Sequence, residues 1–392
     1  MNILVAPNAF KGSISAPDAA DIMADGIRVI DDDIEVTELP VADGGDGTLE
    51  AFVESTNGTK ESIQVLGPRQ DEVTAELGFL GNENTAIIEM ARASGLVLLD
   101  EEERNPMKTT TYGTGQLIRH AIEKGCDTII VGIGGSATVD GGTGMARALG
   151  YEFYDDQGEE LPQGGGALDR LSEIRTDGVL PELQEVDVYV ACDVGNPLTG
   201  KRGASRVYGP QKGATPDQVE QLEQNLCHFQ EVLKDEMGLD VSELEGGGAA
   251  GGLGAGLYAF CDAELKPGVE LVFERIGFEE ALAESDLVLT GEGEVDRSSL
   301  EGKAAVEVAR RSSEHNVHCL LMCGSVDRHD PGLMKDLRAK GVTAIFSIST
   351  GPMTLDVSMT ETRALLKNAT EQIVSAFIAG KSSPSRKAVA VE

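Results

Sequence analysis

Positive charge is scarce in this chain: 32 Lys and Arg stand against 67 Asp and Glu among 392 residues, a formal net charge of −35. A surface this acidic repels phosphodiester backbones over most of its area, which excludes nucleic acid as a partner. Long apolar runs are also missing. No segment approaches the ~18 consecutive apolar residues of a membrane span, and MNILVAPNAF has neither the basic n-region nor the small-residue cleavage site of a signal peptide. A cytoplasmic protein without membrane attachment is expected. The five histidines form no H-x-x-x-H pair, and His315 and His318 at a strand entry make a poor metal site. Six cysteines are scattered, and only Cys319 and Cys323 are close, as C-x-x-x-C with no second pair. They read as buried reduced thiols.

The hydrophobic fraction of 41% marks a globular protein, long enough for two domains. Acidic residues fall in patches such as DDDIEVTE, DEEER and DDQGEE. Such a self-repelling, hydrated surface suits high salt, where screening removes the repulsion, and a halophilic host is expected. In so acidic a chain, binding an anion requires that the few basic side chains gather at the site.

The apolar run NILVA predicts a buried strand, followed by a helix with Ser15 as N-cap, Pro17 in its first turn and an apolar stripe of Ile22, Met23, Ile27 and Ile30. IEVTELPVA predicts a second strand, so the chain opens as a parallel βαβ unit. SIQVLGP, EVTAELGFLG and NTAIIEMA predict an antiparallel meander. From about 285 the alternation of strand and helix returns. The fold class is therefore α/β with two domains: an open parallel sheet built from residues 1–60 and 281–380, and an inserted domain of 61–280. Residues 381–392 read as a disordered tail. GGGAAGGLGAG at 246–256 reads as a close backbone approach rather than a linker.

Ligands bind such sheets at the carboxyl ends of strands, so the loops after strands are the candidate site. After the first strand, Lys11 lies ahead of a helix, suited to a phosphate or carboxylate. After the second, Asp43-Gly44-Gly45-Asp46-Gly47 offers two carboxylates suited to Mg²⁺ or to substrate hydroxyls. After DTIIVGI, Gly134, Gly135, Ser136 and Thr138 belong to a loop that can cradle an anion with backbone N–H groups. The same loop satisfies G-x-G-x-x-A, a weak dinucleotide fingerprint, which keeps a nicotinamide-dependent oxidoreductase as the competing reading. Asp193 ends another strand. The following Gly195–Lys201 spells G-x-x-x-x-G-K, but Arg202 stands where a P-loop needs Ser or Thr and Pro197 interrupts it. Asn196 and the basic set Lys201, Arg202, Arg206 and Lys212 follow. Last, Glu292 and Asp296 come after LVL, and Lys303 opens a helix. A carboxylate at a strand end and a lysine at a helix start are what a transferring phosphoryl group needs.

Taken together, APNAFKGS, PVADGGDGT, GIGGSATVDGGTGMARALG, ACDVGNPL, YGPQKGA, GGGAAGGLGAGL and TGEGEVD…GK, in this order over residues 1 to about 305, resemble the type I glycerate kinases. The resemblance implies one flavodoxin-like domain and one restriction-endonuclease-like domain. It implies the reaction ATP + D-glycerate → ADP + 2-phospho-D-glycerate with Mg²⁺, in a monomer or homodimer of organic acid metabolism. Carried over by motif, Lys11, Asp43, Asp46, Asp193, Glu292, Asp296 and Lys303 are the functional positions. Asp193 or Asp296 is the expected base, Lys11 or Lys303 the expected phosphate neutraliser, and Asp43 and Asp46 the expected metal ligands. Where the family usually has glutamine after this last motif, the chain reads Arg297-Ser298-Ser299. The loops are expected to converge on one interdomain cleft.

Overall fold

The computed structural model describes residues 1–42, 48–81, 84–300 and 302–382. Asp43, Asp46 and the tail from 383 lie outside the described residues. Along the chain run β1 (Asn2–Val5), β2 (Glu35–Glu38), β3 (Thr59–Leu66), β4 (Glu72–Phe79), β5 (Thr85–Glu89), β6 (Thr128–Gly132), β7 (Glu152–Tyr154), β8 (Glu173–Arg175), β9 (Asp187–Ala191), β10 (Glu264–Lys266), β11 (Leu287–Val295), β12 (Cys319–Val326) and β13 (Val342–Ser347). They belong to two units: Met1–Ala42 with Phe273–Glu392, and Asp43–Val272.

In the first unit the sheet is wholly parallel, in the order β2-β1-β11-β12-β13. Numbered within the unit this is 2-1-3-4-5, the flavodoxin order. Ile3, Val5, Leu287, Leu289, Leu320 and Met322 are buried in its core, as the near-continuous apolar runs of a sheet covered on both faces require. Parallel neighbours need crossovers. The helix Ala16–Arg28 supplies the first, with the Ser15 side chain accepting from Asp18 N at 3.2 Å as its N-cap. Helices Ala304–Glu314 and Leu333–Ala339 supply two more. The last helix, Thr362–Ser382, packs on Ala16–Arg28 and continues through Lys381 and Ser382, two residues into the segment expected to be tail.

The second unit holds a separate mixed sheet in the order β10-β9-β6-β5-β4-β3. β5, β6, β9 and β10 are parallel, and β3, β4 and β5 form the expected antiparallel meander. This unit begins earlier than the expected residue 61. The helix Thr48–Ser55 lies on the meander, so close that a Cβ at Gly78 of β4 would stand 2.5 Å from Val53 Cγ2. Arg92 then ties Glu50 of that helix to Glu76 and Glu89, at 2.6, 2.7 and 2.7 Å.

Residues 246–256 are a packing device. The helix Ala249–Cys261 is entered through left-handed backbone at Ala250, Gly251 and Gly252. A Cβ on Gly251 would sit 1.9 Å from Thr138 O, and one on Gly256 2.4 Å from Gly141 O. The run lies backbone to backbone on the loop after β6. All six cysteines carry free thiols. No helix among the described residues is long and apolar enough to cross a membrane.

Candidate active site

β6 and β9 pair in parallel with Gly132 opposite Ala191, so both release their following loops at one edge of the second sheet. Between these loops lies a cavity of about 260 Å³ lined by Gly134, Gly135, Ser136, Asp193, Tyr208 and Lys212, among others. Lys212 ends the short turn Pro210–Lys212 and is only 2% exposed. Its Nζ donates to Thr138 O at 2.8 Å and to Ser136 Oγ at 3.2 Å. The Ser136 hydroxyl also accepts from Thr138 N at 3.1 Å and donates to Ala250 O at 3.2 Å. Ser136 and Thr138 therefore anchor the lysine, and the glycine-rich entry of the Ala249–Cys261 helix completes the wall.

Asp140, which the sequence reading passed over, underlies this loop. It is fully buried and accepts from Thr111 N and Oγ1 at 2.8 and 2.9 Å and from Gly142 N and Gly144 N at 3.2 and 3.3 Å. Burial raises its carboxyl pKa against the pull of these donors. Burial likewise lowers the Lys212 ammonium to about 7, opposed by the charge of Asp140. An aspartate followed by two glycines in a strand-end loop was the available signal.

The lowered Lys212 pKa has a stability consequence. Unfolded, the group titrates near ~10.4, so between about 7 and ~10.4 the unfolded chain holds a proton that the folded chain has released. Stability rises with pH wherever the unfolded state binds more protons. The penalty of burying the charge is thus fully present below about pH 7 and relieved above it. In urea titrations the stability of wild type relative to Lys212→Met should increase from pH 7 to pH 9; a difference that is flat or falls contradicts the assignment.

Asp193 is exposed at the end of β9 and accepts from Gly268 N at 2.9 Å. Asn196 does not line the cavity. Its Nδ2 donates to Arg202 O at 2.8 Å and its Oδ1 accepts from Tyr208 Oη at 2.8 Å, so it braces the wall that Tyr208 forms. Of the basic set, Lys201 and Arg202 are exposed, and Arg206 pairs with Glu220 and Glu223. The Walker-like segment opens no long helix: only the five residues Ala204–Tyr208 follow it. Nor does a helix open at G-x-G-x-x-A; Thr143–Ala148 starts six residues beyond Ala137.

The first unit builds a second cluster at its switch point, where β1 has β2 on one side and β11 on the other. The loop after β1 runs along β11, with Asn8 N donating to Gly291 O at 2.8 Å. Glycines in β11 permit this: a Cβ on Gly293 would lie 3.1 Å from Lys11 N. The Lys11 side chain is exposed. The segment 290–296, expected to be a loop, is strand as far as Val295, because Glu292, Glu294 and Val295 stay in register with Cys323, Ser325 and Val326 of β12. Glu292 is buried, and Lys303 Nζ stands 3.9 Å from its Oε2 and 3.7 Å from Asp296 Oδ1. Ser298 Oγ, at 2.5 Å, and Ser299 N, at 3.2 Å, donate to Asp296 and, with Lys303, hold its carboxyl below the usual range. Ser298 and Ser299 thus orient Asp296.

Gly134, Gly135, Ser136, Asp193 and Lys212 are brought together in the second unit, and Glu292, Asp296 and Lys303 in the first, where Lys11 comes to β11 by its backbone beside Gly293. Asp43 and Asp46, the expected metal ligands, lie outside the described residues. Among the described residues no group of three or more His, Cys, Asp or Glu side chains is placed to hold a metal ion.

A family profile described as the glycerate kinase family matches residues 3–378. A protein of Halalkalibacterium halodurans named glycerate kinase is 43% identical over 371 residues, covering 95% of this chain and 97% of its own. One of Escherichia coli K12 named glycerate 2-kinase is 44% identical over 356 residues, covering 91% and 92%. A crystal structure from Salmonella typhimurium LT2, provisionally named glycerate kinase 2, superposes with a TM-score of 0.90 at 42% identity over 98% of this chain and 100% of that one. With strand-end carboxylates and lysines in both units and likeness over nearly its whole length, this chain belongs to the glycerate kinase family and is a kinase.

Proposed function

We propose that the chain transfers the γ-phosphoryl group of ATP to the 2-hydroxyl of D-glycerate, giving ADP and 2-phospho-D-glycerate. One observation carries this reading: each unit brings carboxylate and lysine together at the carboxyl ends of parallel strands, Asp193 with Lys212 and Glu292 and Asp296 with Lys303. The names of the relatives support the acceptor. Phosphoryl transfer asks a protein mainly for positioning and for charge stabilisation. The glycerate hydroxyl oxygen forms a bond to the γ-phosphorus as the bond from that phosphorus to the β-phosphate oxygen breaks. The hydroxyl proton passes to a carboxylate, Asp193 or Asp296, and ADP leaves with the electron pair of the broken bond. Lys11 or Lys303 neutralises the charge on the phosphoryl oxygens.

Mg²⁺ belongs to the proposal. Such an ion takes one or two hard carboxylate oxygens and completes its shell with phosphates and water, the donor set that two aspartates three apart among glycines offer by residue type. Asp43 and Asp46 are the proposed ligands. When bound, the ion offsets the charge of the polyphosphate.

Coupled detection of ADP with D-glycerate tests the reading, and NMR of the product distinguishes the 2- from the 3-phosphate. Turnover of NAD(P)H with no glycerate-dependent ADP would replace the kinase by the oxidoreductase. The acidic surface supports a cytoplasm rich in salt as the working environment. Molar KCl should raise the first thermal transition by roughly 5 °C or more over low salt; a melting temperature indifferent to KCl removes that part of the proposal.

A further inference from the structure

We infer that the cavity at the ends of β6 and β9 seats the acceptor acid, that the Lys212 ammonium holds the carboxylate of that acid, and that the nucleotide does not enter. The inference rests on the kinase reading above and adds which unit takes which substrate. Size is the first argument. Pockets for drug-sized ligands run to roughly 300–1,000 Å³; at about 260 Å³ this one lies just below that range and accommodates a three-carbon acid.

Charge is the second. Lys212 is the one cation among the described residues that line the cavity, in a chain of net charge −35. Both of its hydrogen-bond acceptors, Thr138 O and Ser136 Oγ, are neutral. A carboxylate brought against Lys212 favours the charged form of the amine; the ammonium so restored has three donors, two of them on Thr138 O and Ser136 Oγ, so the third is left for the ligand. Leu96, Ile133, Ala191, Val194 and Ala249 also line the space and keep its dielectric low, which strengthens that contact.

Reach is the third. Asp193 lines the same small cavity. In a 2-hydroxy acid whose carboxylate is held by Lys212, the hydroxyl on the adjoining carbon shares that volume with Asp193. The open space at Gly134, where a Cβ would meet nothing within 4 Å, leaves the loop backbone approachable by a ligand.

The test is the Michaelis constant of each substrate for wild type, Lys212→Met and Lys212→Gln, with D-glyceramide as a probe in which an amide replaces the carboxylate. KM does not depend on the fraction of protein that is folded. Loss of a charge-assisted hydrogen bond should raise the KM for D-glycerate by roughly 10- to 100-fold in both variants, with the KM for ATP unchanged within about twofold. Wild type should prefer D-glycerate to D-glyceramide by a similar factor, and the variants should not. A rise confined to ATP, or a preference for the carboxylate that survives in both variants, overturns the assignment. Should both variants be inactive, equilibrium dialysis of labelled D-glycerate against nucleotide-free wild type decides. Binding displaced by excess unlabelled acid but not by ATP is expected; displacement by ATP overturns the inference. Failure of the kinase reading shows separately, as wild type that releases no ADP at any D-glycerate concentration.

Discussion

Asp193→Asn and Asp296→Asn should both fold, and at least one should turn over D-glycerate roughly 10²-fold or more slowly than wild type. Asparagine keeps the shape of aspartate and its accepting oxygen. At 193 that oxygen can still accept from Gly268 N, and at 296 from Ser298 Oγ and Ser299 N. What the amide cannot do is take a proton at the pH of the reaction. The loss should therefore appear in kcat, measured by coupled ADP release, with the circular dichroism spectrum and melting temperature close to wild type. The two carboxylates differ in surroundings. Asp296 is stabilised as the anion by Ser298 and Lys303, which makes it a weaker base and a good electrostatic partner. Asp193 is exposed on the wall of the small cavity. With the acceptor acid seated there, Asp193→Asn is the variant expected to fall. Full activity in both would remove either residue as the base.

Gly251→Val should be the most damaging substitution in the glycine-rich run, destabilising the second unit by roughly 3–5 kcal/mol. Two effects add. Gly251 has φ +71°, a backbone that a β-branched residue adopts only under strain. A Cβ there would also lie 1.9 Å from Thr138 O, which is backbone and cannot swing aside. Gly238→Ala separates the two. Gly238 has the same φ of +71°, at the C-cap of the helix Pro216–Met237, but a Cβ there meets nothing within 4 Å. It should cost only about 1 kcal/mol, the backbone component alone. Urea denaturation of the two variants measures the difference. Similar losses at both sites would mean that the close approach of residue 251 to the loop after β6 is not tight. Because Thr138 O also accepts from Lys212, a Gly251 variant that folds should in addition lose affinity for the acceptor.

Local signals carried far in this sequence. Ser15, Pro17 and Asp18 mark the first helix start within four residues of one another, and the start lies where they put it. NILV, LVL and CLLMC are apolar without alternation, as strands covered on both faces must be, and they lie side by side in the parallel sheet. The meander of β3, β4 and β5 was legible from three strand-like runs joined by short turns. Most candidate site residues were found by one topological rule, that ligands meet open α/β sheets at strand carboxyl ends, and this rule needs only the order of strands and loops.

What the sequence could not decide were matters of partnership across long separations. Lys201, Arg202, Arg206 and Lys212 read alike, as four cations within twelve positions; only packing against Ser136 and Thr138, more than seventy residues away, turns Lys212 inward while Arg206 goes to Glu220 and Glu223. TGEGEV looked like a loop because glycine is a poor strand former; pairing with β12 keeps it a strand, and its glycines admit the chain beside Lys11. The first unit ends at Ala42 because Glu50 finds Arg92 and Val53 lies on Gly78. Asp140 gave no sign that it would be buried, since four of its donors come from Thr111, Gly142 and Gly144. Composition and periodicity act over a few residues and so determined the elements and their order, while the family of chemistry came from the resemblance of seven motifs. Burial, register and charge pairing are set by residues that only the folded chain brings within a few ångströms, and they decided which of the many acids and the few bases gather in the candidate site.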